Sequence, residues 1–349
     1  MTRSPFSERV RVAFGRRVAA YEPLAPLQRA MAWRLAGVAA HHGARPSVAS
    51  RTSGLPEGPC ADLGAGTGLV GRALREWGVA LPAPLRQLDL CPEALARNSS
   101  GPSLPWDLNE GLPPQLRGAA LLASSFALQW LADPTAVLAH WADHLAPGGW
   151  LLLSVPTAGS FPEWRQAALR TGLPCSALPL PAADALLAAA LGAGLEPLQV
   201  GRLTFSRGAE GSRSRPGEGA GGWSAPAPGA RSDALGQADP SGVGIPTAPA
   251  AVPARRGPAT VPHPALRALR ALRAIGADAT PHGTSLSPGD WRRLLAAWPE
   301  GGGLSWEVLL LLARQPPAPF LAPRRVSPPL SAPRRSPPDP SPDPPPCAL

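Results

Sequence analysis

The segment ADLGAGTG, residues 61 to 68, places three glycines at alternate positions, Gly64, Gly66 and Gly68, with Asp62 two residues ahead of the first. A strand that runs into a glycine turn and then a helix makes a site for a nucleotide-like ligand. The glycines let the backbone approach the ligand, and the helix start offers free N–H groups and positive potential. The spacing narrows the ligand. A dinucleotide fingerprint needs GxGxxG, and the position for its last glycine is Leu69. A Walker loop needs a lysine, and the chain has none. An acid beside the loop repels a pyrophosphate but suits a ligand that carries an ammonium and a sulfonium.

The elements around the loop follow from apolar periodicity. Residues 60–63 enter it as a short buried strand, and Leu69, Val70, Ala73, Leu74 and Trp77 form one helix face ended by Gly78. Further strands are expected at 85–90, 119–125, 150–155, 197–205 and 305–314. Helices are expected at 183–192 and 291–298, and after Asp133 with Pro134 at its first position. In that last helix Val137, Leu138, Trp141 and Leu145 share a face and Gly148 is the stop. Strands alternating with helices imply a mainly parallel sheet covered on both faces. Residues 5–40 read as two helices; Val10, Phe14 and Val18 share a face, and so do Leu27, Met31 and Leu35. Residues 43–58 read as a polar linker. Periodicity is lost over 206–262, a Gly-, Pro-, Ser- and Arg-rich stretch expected to be a disordered insertion, and again in a Pro-rich tail at 315–349. The expected body is therefore 59–205 completed by 263–314, with residues 1–42 laid over it as a helical lid.

Composition bounds the rest. The 349 residues carry 48 Pro and 37 Gly, and a net charge of +9 supplied entirely by arginine. Four cysteines form no CxxC and none lies near a histidine at ligand spacing, which argues against a zinc site or a disulfide framework. A reducing, cytoplasmic setting is the simplest reading. The first residues, MTRSPFSERVRVAF, lack the apolar run of a signal peptide, no apolar run is long enough to cross a bilayer, and the ending PCAL does not have a prenylation cysteine in register.

The acid followed by GxGxG resembles motif I of the class I S-adenosylmethionine (SAM) methyltransferases. That resemblance implies a Rossmann-like α/β fold with a mainly parallel seven-stranded sheet, helices on both faces, and SAM as methyl donor with no metal. It implies that Asp62, Gly64, Gly66 and Gly68 hold the methionine end of SAM. Asp89, with Leu90, would meet the ribose hydroxyls; it lies 27 residues after Asp62, and the Pro-bearing turn at 82–84 absorbs the extra length. Asp107 would approach the adenine amine between Trp106 and Leu108, and Ser125 would close the pocket.

Four further stretches are similar to the malonyl-acyl-carrier-protein O-methyltransferases of biotin synthesis. They are FGRRVAAYEPLAPLQ, SSFALQWLADP (124–134), GSFPEWRQA (159–167) and IGADAT (275–280). The resemblance covers nearly all of 8–205 and 264–314 and implies methyl transfer to the free carboxylate of a malonyl thioester. It needs no strong base, since that carboxylate is already ionised and needs only alignment and partial desolvation. Tyr21, the sole tyrosine, would lie over the pocket and position the methyl or the carboxylate. Gln129 and Trp130 would line the acceptor pocket, and Arg165 would orient the carboxylate. The arginines at 267, 270 and 273 and the pair Arg16-Arg17 could receive an acidic carrier protein. The chain departs from the family in lacking an acid at the start of the strand at 119–125 and in reading Ser124-Ser125-Phe126 where Ser-Asn is usual. Trans-aconitate methyltransferases share the Leu128-Gln129-Trp130 element, so a small-acid methyltransferase stays open, as does a SAM-binding assembly factor that does not methylate. A nucleic-acid substrate fits less well, because the arginines are not interleaved with aromatic stacking platforms. No membrane partner is expected.

Overall fold

The computed structural model describes residues 4–44, 54–207, 264–274, 286–300 and 302–317. The middle of the linker at 45–53, all but the start of the insertion, the IGADAT segment and the tail beyond Pro317 lie outside the described residues.

Seven strands form one sheet: β1 Cys60–Leu63, β2 Leu85–Asp89, β3 Ser103–Pro105, β4 Ala119–Ser125, β5 Leu145–Pro156, β6 Glu196–Arg207 and β7 Leu304–Arg314. Their order across the sheet is β3-β2-β1-β4-β5-β7-β6. The pairs among β1 to β5 are parallel, while β7 inserts antiparallel between β5 and β6. The order reverses between β1 and β4, which opens a crevice outside the carboxyl ends of these two strands. All four β1 residues are buried, as expected for a parallel strand covered on both faces.

Ten α-helices accompany the strands among the described residues. Three precede β1: α1 Pro5–Gly15, α2 Val18–Leu24 and α3 Pro26–Ala39. Then come α4 Leu69–Glu76, α5 Pro92–Leu95, α6 Pro134–Ala142, α7 Pro162–Thr171, α8 Ala183–Gly192, α9 Pro264–Ala274 and α10 Pro288–Ala296. Alternation along the central strands feeds two apolar layers. Leu151, Leu153, Leu309 and Leu311 join Leu138, Trp141 and Leu186 of α6 and α8. Leu152, Leu310 and Leu312 join Met31 and Leu35 of α3 and Leu74 of α4. A third cluster gathers α7, α9 and α10 around Trp164, Leu272, Leu294 and Trp298.

The N-terminal region is three helices, not two. Val18 opens α2 instead of extending the face of Val10 and Phe14, because α1 stops at Gly15. α3 belongs to the core: Gly37 lets it close on Trp77, where an added Cβ would lie 3.1 Å from the indole ring. α6 ends at Ala142, so Leu145 and Gly148 fall in β5, where Gly148 takes a left-handed φ of 82°. β3 escaped the periodicity reading because it has only three residues and no fully buried one.

The strand beyond the insertion carries the sheet's interior. Leu311 is fully buried, while its register partner on the edge strand, Val200, is 45% exposed. Leu311→Ala is expected to cost about 2–5 kcal/mol in chemical denaturation, and Val200→Thr to stay within about 0.5 kcal/mol. Equal effects would contradict this placement of β7.

Candidate active site

The glycine loop is built from the end of β1. The amides of Gly64 and Ala65 both donate to the Leu88 carbonyl, at 2.8 and 2.9 Å, which ties the loop to β2. Gly64, Gly66 and Gly68 all have positive φ, at 75°, 52° and 86°, a region side chains disfavour. Beyond that their roles differ. A Cβ on Gly64 would stand 2.2 Å from Ala127 Cβ, whereas one on Gly66 would meet nothing within 4 Å. One on Gly68 would collide with Asn98 Oδ1 at 2.3 Å.

Gly68 thus packs backwards, away from the cavity. Behind the loop, Asn98 Nδ2 donates to Gln87 Oε1 at 2.8 Å and to the Gly66 carbonyl at 3.3 Å. Ser100 Oγ donates to the Gly68 carbonyl at 3.1 Å. This brace was invisible in the sequence, because nothing in RNSSGPS (97–103) pairs it with the loop by spacing.

Two acids face the loop. Asp89 Oδ2 accepts the Gly66 amide at 2.8 Å and Oδ1 accepts the Cys91 amide at 2.8 Å. Burial raises its carboxyl above the ordinary value against the opposing pull of these two amides. Asp62 is fully buried, and neither carboxyl oxygen has a hydrogen-bond partner. Burial, reinforced by Asp89, pushes it up to about 8. Without a cation beside it, Asp62 holds a proton at neutral pH.

A cavity opens in front of the loop. Gly64, Gly66 and Thr67 form its back, and Asp89, Leu90 and Cys91 one flank. Asp107 and Leu108 line the adjoining wall with Trp106 and Asn109. Asp107 Oδ1 is occupied by the Asn109 backbone and side-chain N–H groups, at 3.0 and 2.9 Å, and its Oδ2 carries no such bond. Opposite stand Ser125, whose Oγ lies 2.8 Å from Ser154 Oγ, then Phe126, Ala127 and Trp130. Phe126 takes a left-handed φ of 56°, the kind of strained backbone that gathers at functional sites.

Helices α1 and α2 supply the roof. Val10, Arg11, Phe14 and Tyr21 reach the cavity from them. Phe14 links the roof to the wall, edge-on to Trp130 at 5.5 Å and to Tyr21 at 6.3 Å. Burial and the nearby Asp89 raise Tyr21 well above the ordinary phenol range, so its hydroxyl keeps its proton. Arg11 is a cavity residue that sequence reading missed, since only the apolar face of Val10 and Phe14 was legible in this helix. It pairs with Glu8 at 2.7 Å and Glu93 at 3.3 Å.

Two expected acceptor residues do not line the cavity. Gln129 is turned inward: its Nε2 donates to the Phe126 carbonyl at 2.8 Å, and its Oε1 is buried without a partner. Arg165 is exposed on α7 and its guanidinium folds back onto the Ser160 carbonyl. The expectation that it orients a substrate carboxylate finds no support in the cavity, whose lining does not include it. Among the described residues no group of three or more His, Cys, Asp or Glu could hold a metal ion, and no helix is long and apolar enough to cross a membrane.

Residues 40–200 match the protein family described as a methyltransferase domain. The strand order and the glycine loop of this stretch are those that the resemblance to class I SAM-dependent methyltransferases implies. Among characterised proteins, the chain is 34% identical over 157 residues to a malonyl-[acyl-carrier protein] O-methyltransferase of Alcanivorax borkumensis, covering 43% of this chain and 48% of that one. It is 32% identical over 162 residues to the protein of the same name from Serratia marcescens, covering 44% and 56%. It is also 33% identical over 112 residues to a trans-aconitate 2-methyltransferase of Mycobacterium tuberculosis, covering 31% and 40%. The chain thus spans about half the length of these relatives or less.

The unpartnered Asp62 has a thermodynamic signature. Its folded value near 8 lies above the ordinary 3.8, so the folded state holds a proton that the unfolded state has lost. Stability should therefore fall as pH rises from about 4 to 8, by at most about 1.4 kcal/mol per unit. Denaturation of the unliganded protein and of Asp62→Asn at pH 5, 6.5 and 8 is expected to show the variant gaining on the wild type across this range. Parallel profiles would contradict the assignment.

Proposed function

We propose that this protein transfers the methyl group of SAM to the free carboxylate of a malonyl thioester held on an acyl carrier protein, forming the methyl ester that opens biotin synthesis. The observation that carries the reading is a buried, unpartnered carboxyl on the strand that enters the glycine loop, a loop that itself lines a cavity roofed by the N-terminal helices. The first part calls for a cationic ligand, and the names of the relatives supply the acceptor class.

The residues present fit SAM. Asp62 would face its ammonium and ionise on contact, removing the cost of two uncompensated buried oxygens. The open space at Gly66 admits the ligand close to the backbone. Asp89 keeps lone pairs for ribose hydroxyls while its amide bonds fix the carboxylate plane. Asp107 Oδ2 is available to an adenine amine, with Leu108 and Trp106 beside the ring. When bound, SAM supplies a sulfonium methyl, an electrophile strong enough for a carboxylate to attack without a general base.

The acceptor end belongs to Tyr21, Phe14, Trp130 and Phe126. Their rings exclude water and partly desolvate an incoming carboxylate, while the Tyr21 hydroxyl donates to one of its oxygens and leaves the other to attack. Gln129 acts behind this wall by holding the Phe126 carbonyl. The ester formed is neutral and no longer matches the Tyr21 donor as a charged acceptor, which favours release.

Two tests follow. Incubation with SAM and malonyl-acyl carrier protein, beside malonyl-coenzyme A and trans-aconitate, is expected to add one methyl fastest to the carrier-bound malonyl group by intact mass. Methylation of trans-aconitate alone would favour the small-acid reading that one set of relatives suggests. Tyr21→Phe is expected to lower kcat/KM by about 10–100-fold, the worth of a hydrogen bond to a charged group, while S-adenosylhomocysteine affinity stays within about twofold. A parallel loss of cofactor affinity would move Tyr21 from the acceptor to the donor site.

A further inference from the structure

We infer that the helical cluster of α7, α9 and α10 is a docking surface for an acidic protein, and that its occupant is the carrier domain delivering the acyl group; this rests on the reading above. The three helices pack on one apolar cluster. They carry seven arginines against two acids, and α9 has no acid at all. Both acids are engaged: Glu163 accepts from the Ser305 amide and hydroxyl, and Asp290 pairs with Arg293. Arg267 and Arg270, one turn apart on α9, are exposed. So is Leu169 on α7, at 84%, beside Arg170. An exposed leucine on a surface with an excess of arginine is the composition of a protein-binding patch, an apolar contact within a rim that steers a partner of opposite charge.

Position links the patch to the chemistry. α9 lies against α2, the helix whose Tyr21 reaches into the cavity. A partner seated on α9 thus stands next to the roof of the acceptor end, where a tethered thioester must enter. Nucleic acid suits the surface less well: Trp164 and Trp298 are buried in the cluster, and α9, which carries Arg267 and Arg270, has no aromatic residue on which a base could stack.

The test compares wild type, Arg267→Glu/Arg270→Glu and Leu169→Ser on two acceptors, malonyl-acyl carrier protein and malonyl-pantetheine, which has the same reacting group without the protein. For the double variant, KM for the carrier-bound acceptor is expected to rise about tenfold or more with kcat unchanged, as charge reversal in an interface does. Leu169→Ser should give a smaller rise in the same direction. Malonyl-pantetheine kinetics and S-adenosylhomocysteine binding should not move, which shows the fold intact. An unchanged KM for the carrier-bound acceptor would overturn the docking surface while leaving the function standing. So would a loss confined to binding of a single-stranded RNA oligonucleotide. Failure of the wild type to methylate either thioester would overturn both.

Discussion

The site depends on a carboxyl that has no partner. Asp62 is sealed at the end of β1 with two unsatisfied oxygens. Such a group is tolerated only as a neutral acid or beside a cation. Asp89, across the loop, adds to its reluctance to ionise. The unliganded protein therefore holds destabilising polar burial that a cationic ligand relieves. Much of the surrounding structure keeps this arrangement in place. The Leu88 carbonyl anchors two loop amides, Asn98 and Ser100 brace the loop from behind, and Asp89 accepts the Gly66 amide.

Topology puts the loop that follows this carboxyl where a ligand can reach it. Strand order reverses between β1 and β4, so the helices after these strands diverge and leave a crevice at their carboxyl ends. The antiparallel β7 fills the far half of the sheet with fully buried leucines. It arrives from beyond the long insertion, bringing α9 and α10 with it. The same return of the chain that completes the core thus builds the basic helical cluster beside the cavity roof.

The parts of this arrangement that periodicity and residue type encode were legible in the sequence. Alternating glycines after an acid located the loop, and the apolar runs at 60–63, 119–125, 150–155 and 305–314 located the central strands. Asp89, Asp107, Ser125, Trp130 and Tyr21 do line the cavity. What failed was side-chain direction. Gly68 was read with its neighbours, yet its missing Cβ makes room for Asn98. Arg165 sits close in sequence to a plausible acceptor loop, but α7 follows Phe161, whose left-handed backbone (φ 60°) directs the helix into an aromatic cluster around Trp306 and Trp164. Arg11 had no distinguishing pattern, because its place in the cavity arises from how α1 lies against α5. Short edge strands such as β3 lack any apolar signal.

The most direct measurement is calorimetric titration of the protein with S-adenosylhomocysteine at pH 7, in phosphate and in Tris, whose ionisation heats differ widely. If Asp62 is protonated in the free protein and ionises against the ligand's ammonium, binding releases close to one proton, and the apparent enthalpies in the two buffers diverge accordingly. In Asp62→Asn the divergence disappears and affinity falls. Equal heats in both buffers for the wild-type protein would mean that no proton leaves on binding, and would contradict the role given to the buried carboxyl.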